Sequence, residues 1–139
     1  LPMAEDLGVV ITIENVGNRF LLSPLEFVRY IAEFESPFVQ GYFDVGNVVS
    51  IGYPPDWIRT IGQRLLKVHI KRFEPRVENR KSAQTGRRSV EIDWPEVRKA
   101  LADVGYAGWV TAEIRGGDAS YLSEVSARMD RILAGQNPS

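Results

Sequence analysis

The sequence predicts an α/β domain built on a parallel sheet, and three observations carry that expectation. Four short apolar runs alternate with stretches that hold helix-start and helix-stop signals, giving the order β-α-β-α-β-α-β-α. Alternation of this kind implies parallel strands joined by right-handed crossovers. The runs are near-continuous rather than polar at every second position, the pattern of strands buried on both faces. Each run also ends at or beside a polar residue, namely Glu14, Asp44, His69 and Glu113.

Taken in order, Leu1 to Gly8 reads as the last turns of a helix, with Gly8 supplying the left-handed position that closes it. The chain therefore starts inside an element and is expected to be part of something longer. Val9 to Ile13 is β-branched throughout and forms the first strand. Ser23-Pro-Leu-Glu26 is a capping box with proline at the first helical position, and Leu25, Val28, Ile31 and Ala32 follow at helical spacing. Phe38 to Phe43 is the second strand. Pro54 to Gly62 is a short helix ended by glycine. Leu65 to Ile70 is the third strand. Asp93-Trp-Pro-Glu96 repeats the capping signal ahead of Val97, Ala100 and Leu101, and Gly105 stops that helix. Gly108 to Ala112 is the fourth strand. A last helix starts near Ser120 and turns Leu122, Val125, Met129 and Ile132 inward before Gly135.

Length and composition bound the answer. The chain has 139 residues, 44% hydrophobic and 25% charged, which is one globular domain rather than a disordered segment or coiled coil. Seventeen basic residues face eighteen acidic ones for a net charge of −1, so a dedicated nucleic-acid partner is not expected. There is no cysteine, which removes disulfides, thiolate zinc sites and thiol nucleophiles, and fits a reducing compartment such as the cytoplasm. No apolar run approaches the roughly 18 residues of a membrane span, and no signal-peptide pattern opens the chain. One histidine limits Ser-His-Asp catalysis to a single base. The stretch from Phe73 to Val90 is polar and basic, long enough to serve either as a functional loop or as a solvated one.

Glu14, Asp44, His69 and Glu113 are separated by 30, 25 and 44 residues. An eight-unit (β/α) barrel uses roughly 31 residues per unit, so the four sit about one unit apart. Side chains at the ends of neighbouring parallel strands converge where α/β folds place their sites. Three carboxylates and an imidazole gathered there repel unless a cation neutralises them. Hard oxygens with one nitrogen suit Mn²⁺, Mg²⁺ or Co²⁺, and less specifically Zn²⁺. Singly, each residue has a plainer reading: Glu14 as a loop cap, Asp44 in a turn with Gly46, His69 as a hydrogen-bonded core residue. Together at matching strand ends they are harder to dismiss. Around them, Asn15 and Asn18 either hydrogen-bond a bound ligand or satisfy a loop. Lys71 either neutralises a developing oxyanion or pairs with a carboxylate. Trp57, Trp94 and Trp109 are expected to pack.

The segments Ile13–Pro24, Tyr42–Asn47, Val68–Lys71, Asp93-Trp94 and Gly105–Glu113 resemble the sugar phosphate isomerase/epimerase family of the xylose isomerase-like TIM barrel superfamily. Hexulose-6-phosphate isomerase and ribulose-phosphate 3-epimerase-like proteins are the nearest flavour. The resemblance covers nearly the whole chain and implies strands five through eight of an eight-stranded barrel, so that residues 1–139 form a single partial domain, its C-terminal half. It implies one divalent metal on Glu14, Asp44, His69 and Glu113, with Glu14 and Glu113 as the acid/base pair. Substrate contacts fall on Asn15, Asn47, Lys71 and Arg72. Relatives commonly carry Asp where Arg72 stands, and a glycine-rich turn where this chain reads Arg87-Arg-Ser-Val-Glu-Ile92. Some epimerases place a substrate-contacting His where Asn47 stands, so ketose recognition of that kind is not expected.

Three functions follow. The first is a metal-dependent isomerase or epimerase acting on a sugar or sugar phosphate by proton transfer through an enediolate. The second is a phosphodiesterase of the endonuclease IV type, against which a single histidine counts. The third is a catalytically silent half-barrel that serves as an interaction module. Four strands cannot close a barrel. The chain is therefore expected to meet the missing barrel half or a homodimer partner through an inner face striped with Val, Ile and Leu.

Overall fold

The computed structural model describes residues 1–71, 73 and 92–138. Arg72 and most of the basic loop lie outside the described residues. A short helix α1 (Pro2–Asp6) leads into β1 (Ile11–Glu14), α2 (Pro24–Ala32), β2 (Val39–Asp44), α3 (Val45–Val48) and α4 (Pro54–Ile61). After a 3₁₀ turn come β3 (Leu65–Ile70), α5 (Trp94–Asp103), β4 (Val110–Ala112) and α6 (Ala119–Leu133). The strands form one parallel sheet in the order β1-β2-β3-β4. Four consecutive strand–helix units are thus present, as the alternation predicts. Among the described residues, no helix is long and apolar enough to cross a membrane.

Local chemistry fixes the helix ends. Ser23 Oγ accepts from the Glu26 N–H at 3.2 Å while Glu26 accepts from the Ser23 N–H at 3.1 Å, a complete capping box. Asp93 and Asp118 cap α5 and α6 through the N–H groups of Glu96 and Tyr121. Gly8, Gly62 and Gly105 all take positive φ just past their helices.

The core lies between one face of the sheet and the helices. Phe27 and Ile31 of α2, Trp57, Ile58 and Ile61 of α4, and Val97, Ala100 and Leu101 of α5 pack on Val39, Phe43, Val68 and Ile70. Gly41 allows this approach, because a Cβ there would stand 3.3 Å from Arg64 O and Ile61 Cγ2. Arg59 fastens α4 to α5, bridging Glu96 and Asp103.

The other face differs from expectation. The strands are not buried on both sides, and the inner face is not a stripe of Val, Ile and Leu. It carries Tyr42 and Asp44 of β2, Lys67 and His69 of β3, and Thr111 of β4, which the register aligns. The reason is an irregularity in β3. Gly41 pairs with Leu65 but Tyr42 pairs with Lys67, so Leu66 is extra. A bulge of this kind reverses the alternation beyond it. Leu65 packs into the core and so do Val68 and Ile70, while Lys67 and His69 turn to the opposite face. Without the extra residue, His69 would follow Leu65 into the core.

Three further expectations need correction. Leu25 and Leu122 are exposed, because α2 and α6 turn Phe27 with Ile31 and Val125 with Ile132 to the core instead. Trp109 does not pack. It precedes β4, the last strand of the sheet, and is 81% exposed where no further strand covers it. Trp57 and Trp94 are buried as expected.

Candidate metal centre

The carboxy-terminal ends of the four strands bring Glu14, Asp44, His69 and Glu113 together. One ligand atom from each lies within 4.8 Å of all the others. Glu14 and Asp44 are the last residues of β1 and β2, His69 is the penultimate residue of β3, and Glu113 directly follows β4. His69 presents Nδ1 to the group, 3.2 Å from Glu14 Oε1, 3.7 Å from Glu113 Oε2 and 3.9 Å from Asp44 Oδ2.

Asp44 is fully buried and doubly constrained. Its Oδ1 accepts from the Asn47 N–H at 2.8 Å, so the strand end is also the cap of α3. Asn15 clamps its backbone: Asn15 Nδ2 donates to Asp44 O at 2.9 Å and Asn15 Oδ1 accepts from Asp44 N–H at 2.7 Å. Asn47 Nδ2 in turn donates to Asn15 O at 2.9 Å. The amide groups of Asn15 and Asn47 thus tie the ends of β1 and β2 to each other. Asn18 accepts from Phe20 N–H within its own loop.

Lys71 extends over the same carboxylates, with Nζ 2.9 Å from Asp44 Oδ2 and 2.7 Å from Glu113 Oε2. Of the two roles its type allows, pairing with carboxylates is the one seen. Burial raises the Asp44 carboxyl from 3.8 to about 6, against the lowering pull of Lys71 and the Asn47 N–H. Glu113, half-exposed, is held below the usual carboxylate range by its pairing with Lys71. Burial works against the Lys71 ammonium, yet its pairing with Glu113 and Asp44 outweighs it and raises its pKa.

The donor set fits a hard divalent ion. It offers three carboxylate oxygens and one imidazole nitrogen. Asp44 Oδ2 is buried with no partner in hydrogen-bond geometry, although the Lys71 ammonium stands beside it. Ligand atoms within 4.8 Å of one another are near enough for all four residues to hold one such ion.

Tyr42 is a residue that motif reading passes over. Its hydroxyl is 2.5 Å from His69 Nε2 and its ring lies against the imidazole with centroids 4.1 Å apart. A ligating histidine usually hands its second nitrogen to such a partner, which fixes ring orientation and tautomer. The signal was present in the sequence: Tyr42 is two residues before Asp44 on the same strand face. Tyr42→Phe keeps the ring contact and removes the hydroxyl. It is expected to weaken Mn²⁺ affinity by ~10–100-fold, read by titration calorimetry. Affinity equal to that of the unaltered chain would deny Tyr42 this role.

A family model described as xylose isomerase-like TIM barrel matches residues 1–132. Among solved structures, D-psicose 3-epimerase in the presence of D-fructose is similar at 27% identity and a TM-score of 0.61, over 88% of this chain and 42% of that one. The D-psicose 3-epimerase of Clostridium cellulolyticum H10 with D-tagatose is similar at 23% identity and a TM-score of 0.62, over 98% and 48%. A D-tagatose 3-epimerase-like protein is similar at 19% and 0.66, over 96% and 51%. The chain spans about half the length of these structures, and its sheet corresponds to part of a TIM barrel. No curated protein sequence matches it.

Proposed function

From the premise that this chain belongs to the xylose isomerase-like TIM barrel family, we propose that it supplies strands five through eight and the metal centre of an isomerase or epimerase acting on a sugar or sugar phosphate. The observation that carries this reading is the gathering of Glu14, Asp44, His69 and Glu113 at four adjacent strand ends. The D-fructose named with the D-psicose 3-epimerase that is 27% identical favours a ketose as substrate.

In this reading the four residues hold one divalent ion, Mn²⁺, Mg²⁺, Co²⁺ or Zn²⁺, with His69 contributing Nδ1. Such an ion supplies Lewis acidity toward a carbonyl oxygen. Glu14 and Glu113 move the proton. They stand at the ends of β1 and β4, the two outer strands among the described residues, and in this reading approach a substrate lying over the centre from opposite sides. One glutamate takes the proton from the carbon beside the carbonyl, leaving an enediolate, and the other returns a proton to the opposite face. Glu113 is suited to the role of base by its place at the rim of the centre, half-exposed just past β4.

The remaining substrate contacts are proposed on Lys71, Arg72 and Asn47. Lys71 and Arg72 offer positive charge to an anionic oxygen, and Asn47 offers its carbonyl oxygen to a hydroxyl. Asn15 acts through the backbone clamp on Asp44. Among the described residues nothing pairs with the outer edges of β1 and β4, and in this reading the other half of the barrel or a second copy of the chain covers them and the inner face. Proton transfer is tested by incubating the protein with Mn²⁺ and a ketose in deuterated water. The reading expects solvent deuterium at the carbon beside the carbonyl of the product. Product formed without deuterium would contradict the proposed chemistry.

A further inference from the structure

Lys71 and a divalent ion would claim the same two oxygens. Its ammonium nitrogen is 2.9 Å from Asp44 Oδ2 and 2.7 Å from Glu113 Oε2. Those are also the atoms that His69 Nδ1 faces across the centre, at 3.9 and 3.7 Å. The other carboxylate oxygen of Asp44, Oδ1, accepts from the Asn47 N–H at 2.8 Å, which holds the carboxylate with Oδ2 beside the Lys71 ammonium. An ion bound to Oδ2 and Oε2 at ~2.1 Å would leave two positive charges a few ångströms apart in a site buried at Asp44. The two occupants exclude each other.

The position of Lys71 is built rather than incidental. Its stem passes over Gly46, where an added Cβ would stand 2.3 Å from Lys71 Cγ and 3.2 Å from Cδ. Only glycine at 46 leaves that path open. A route outward also exists, because Glu113 is half-exposed and the ammonium can follow it toward solvent.

We infer that Lys71 is an internal counter-cation that occupies the centre when no metal is bound and must swing out for a divalent ion to enter. This rests on the metal reading above. The ammonium compensates part of the charge of three carboxylates in the metal-free site. Metal entry then frees it on the solvent side, where an anionic oxygen of a substrate would arrive. Apparent metal affinity is reduced by the fraction of molecules in which Lys71 is already out.

The test is Mn²⁺ titration calorimetry on the unaltered chain and on Lys71→Met, Lys71→Arg and Gly46→Ala, each checked for folding by circular dichroism. Lys71→Met is expected to bind Mn²⁺ at least ~10-fold more tightly, since the competitor is gone. Lys71→Arg, which keeps the charge, should stay within about 3-fold of the unaltered chain. Gly46→Ala leaves the lysine in place but obstructs its path, and should move affinity in the same direction as Lys71→Met. Reductive methylation of the unaltered chain supplies a readout free of any substitution. Labelling at Lys71 should rise with Mn²⁺ while labelling at exposed Lys99 holds constant. Should the unaltered chain bind Mn²⁺ and Lys71→Met bind it no more tightly, or should Lys71 labelling ignore the metal, the lysine inference falls and the metal centre stands. Absence of Mn²⁺ binding in every protein overturns both.

Discussion

Glu113→Gln is expected to cut exchange of solvent deuterium into a ketose by ~10²–10⁴-fold, the usual contribution of a positioned acid or base. Glutamine retains an oxygen for the metal and the size of the side chain, but it cannot carry the proton. Its position favours a clean experiment. Glu113 lies just past β4, its side chain about half in solvent, and its ion pair with Lys71 stands at the site rather than in the apolar core. Secondary structure by circular dichroism should therefore be unchanged, and Mn²⁺ affinity should fall far less than exchange. A Glu113→Gln protein that exchanges at the unaltered rate would remove this residue from proton transfer. Glu14 would then have to act alone.

Asp44→Asn is expected to split function from stability. Mn²⁺ affinity should drop at least ~100-fold, since an amide replaces the one buried carboxylate of the donor set. Stability in the absence of metal should rise by about 1–2 kcal/mol at pH 7.5, measured by urea unfolding. The sign follows from the carboxyl itself. Burial raises it from 3.8 to about 6 in the folded chain. An acid raised in this way favours the folded state fully below its ordinary value and loses that contribution as pH climbs through 6. The full difference corresponds to ~3 kcal/mol at 1.36 kcal/mol per unit. That figure is already net of the attraction of Lys71, and the amide recovers only part of it because it is an imperfect stand-in for the protonated acid. Between pH 4.5 and 7 the unaltered metal-free chain should therefore lose stability relative to Asp44→Asn. Parallel stability curves across that range would show that Asp44 carries no such burden. This is the expected behaviour of a functional site, where a charge disfavoured by the fold is kept for its ligand.

How much of this was legible in the sequence depends on which physical signal each residue carries. Helix starts are encoded locally. Ser23 with Glu26 and Asp93 with Glu96 specify their caps in four residues each, and both helices begin where those signals stand. Strand order and the convergence of Glu14, Asp44, His69 and Glu113 were legible because each stands at or beside the end of an apolar run in a β-α alternation, and parallel neighbouring strands bring such ends together. Strand faces were not. The direction of His69 depends on the extra residue at Leu66, and a bulge is a property of two strands in register that neither strand announces alone. For that reason the inner face was expected to be aliphatic and is instead polar around Tyr42, Lys67, His69 and Thr111. Trp109 failed for a different cause. Large aromatic residues are usually buried, but burial needs a neighbour, and β4 is the last strand of this sheet. Tyr42 was missed because a contact to the far nitrogen of a ligand leaves no spacing motif. Only its parity with Asp44 pointed to it.

The central claim is that four strand ends form one divalent-ion site, and it is tested most directly by a crystal of the protein grown with Mn²⁺ and measured for anomalous scattering. The account predicts a single strong peak bounded by carboxylate oxygens of Glu14, Asp44 and Glu113 and by His69 Nδ1, at ~2.0–2.3 Å. The Lys71 ammonium should no longer touch Asp44 Oδ2. A centre without manganese at saturating metal, or a peak coordinated without Asp44 and His69, would contradict it.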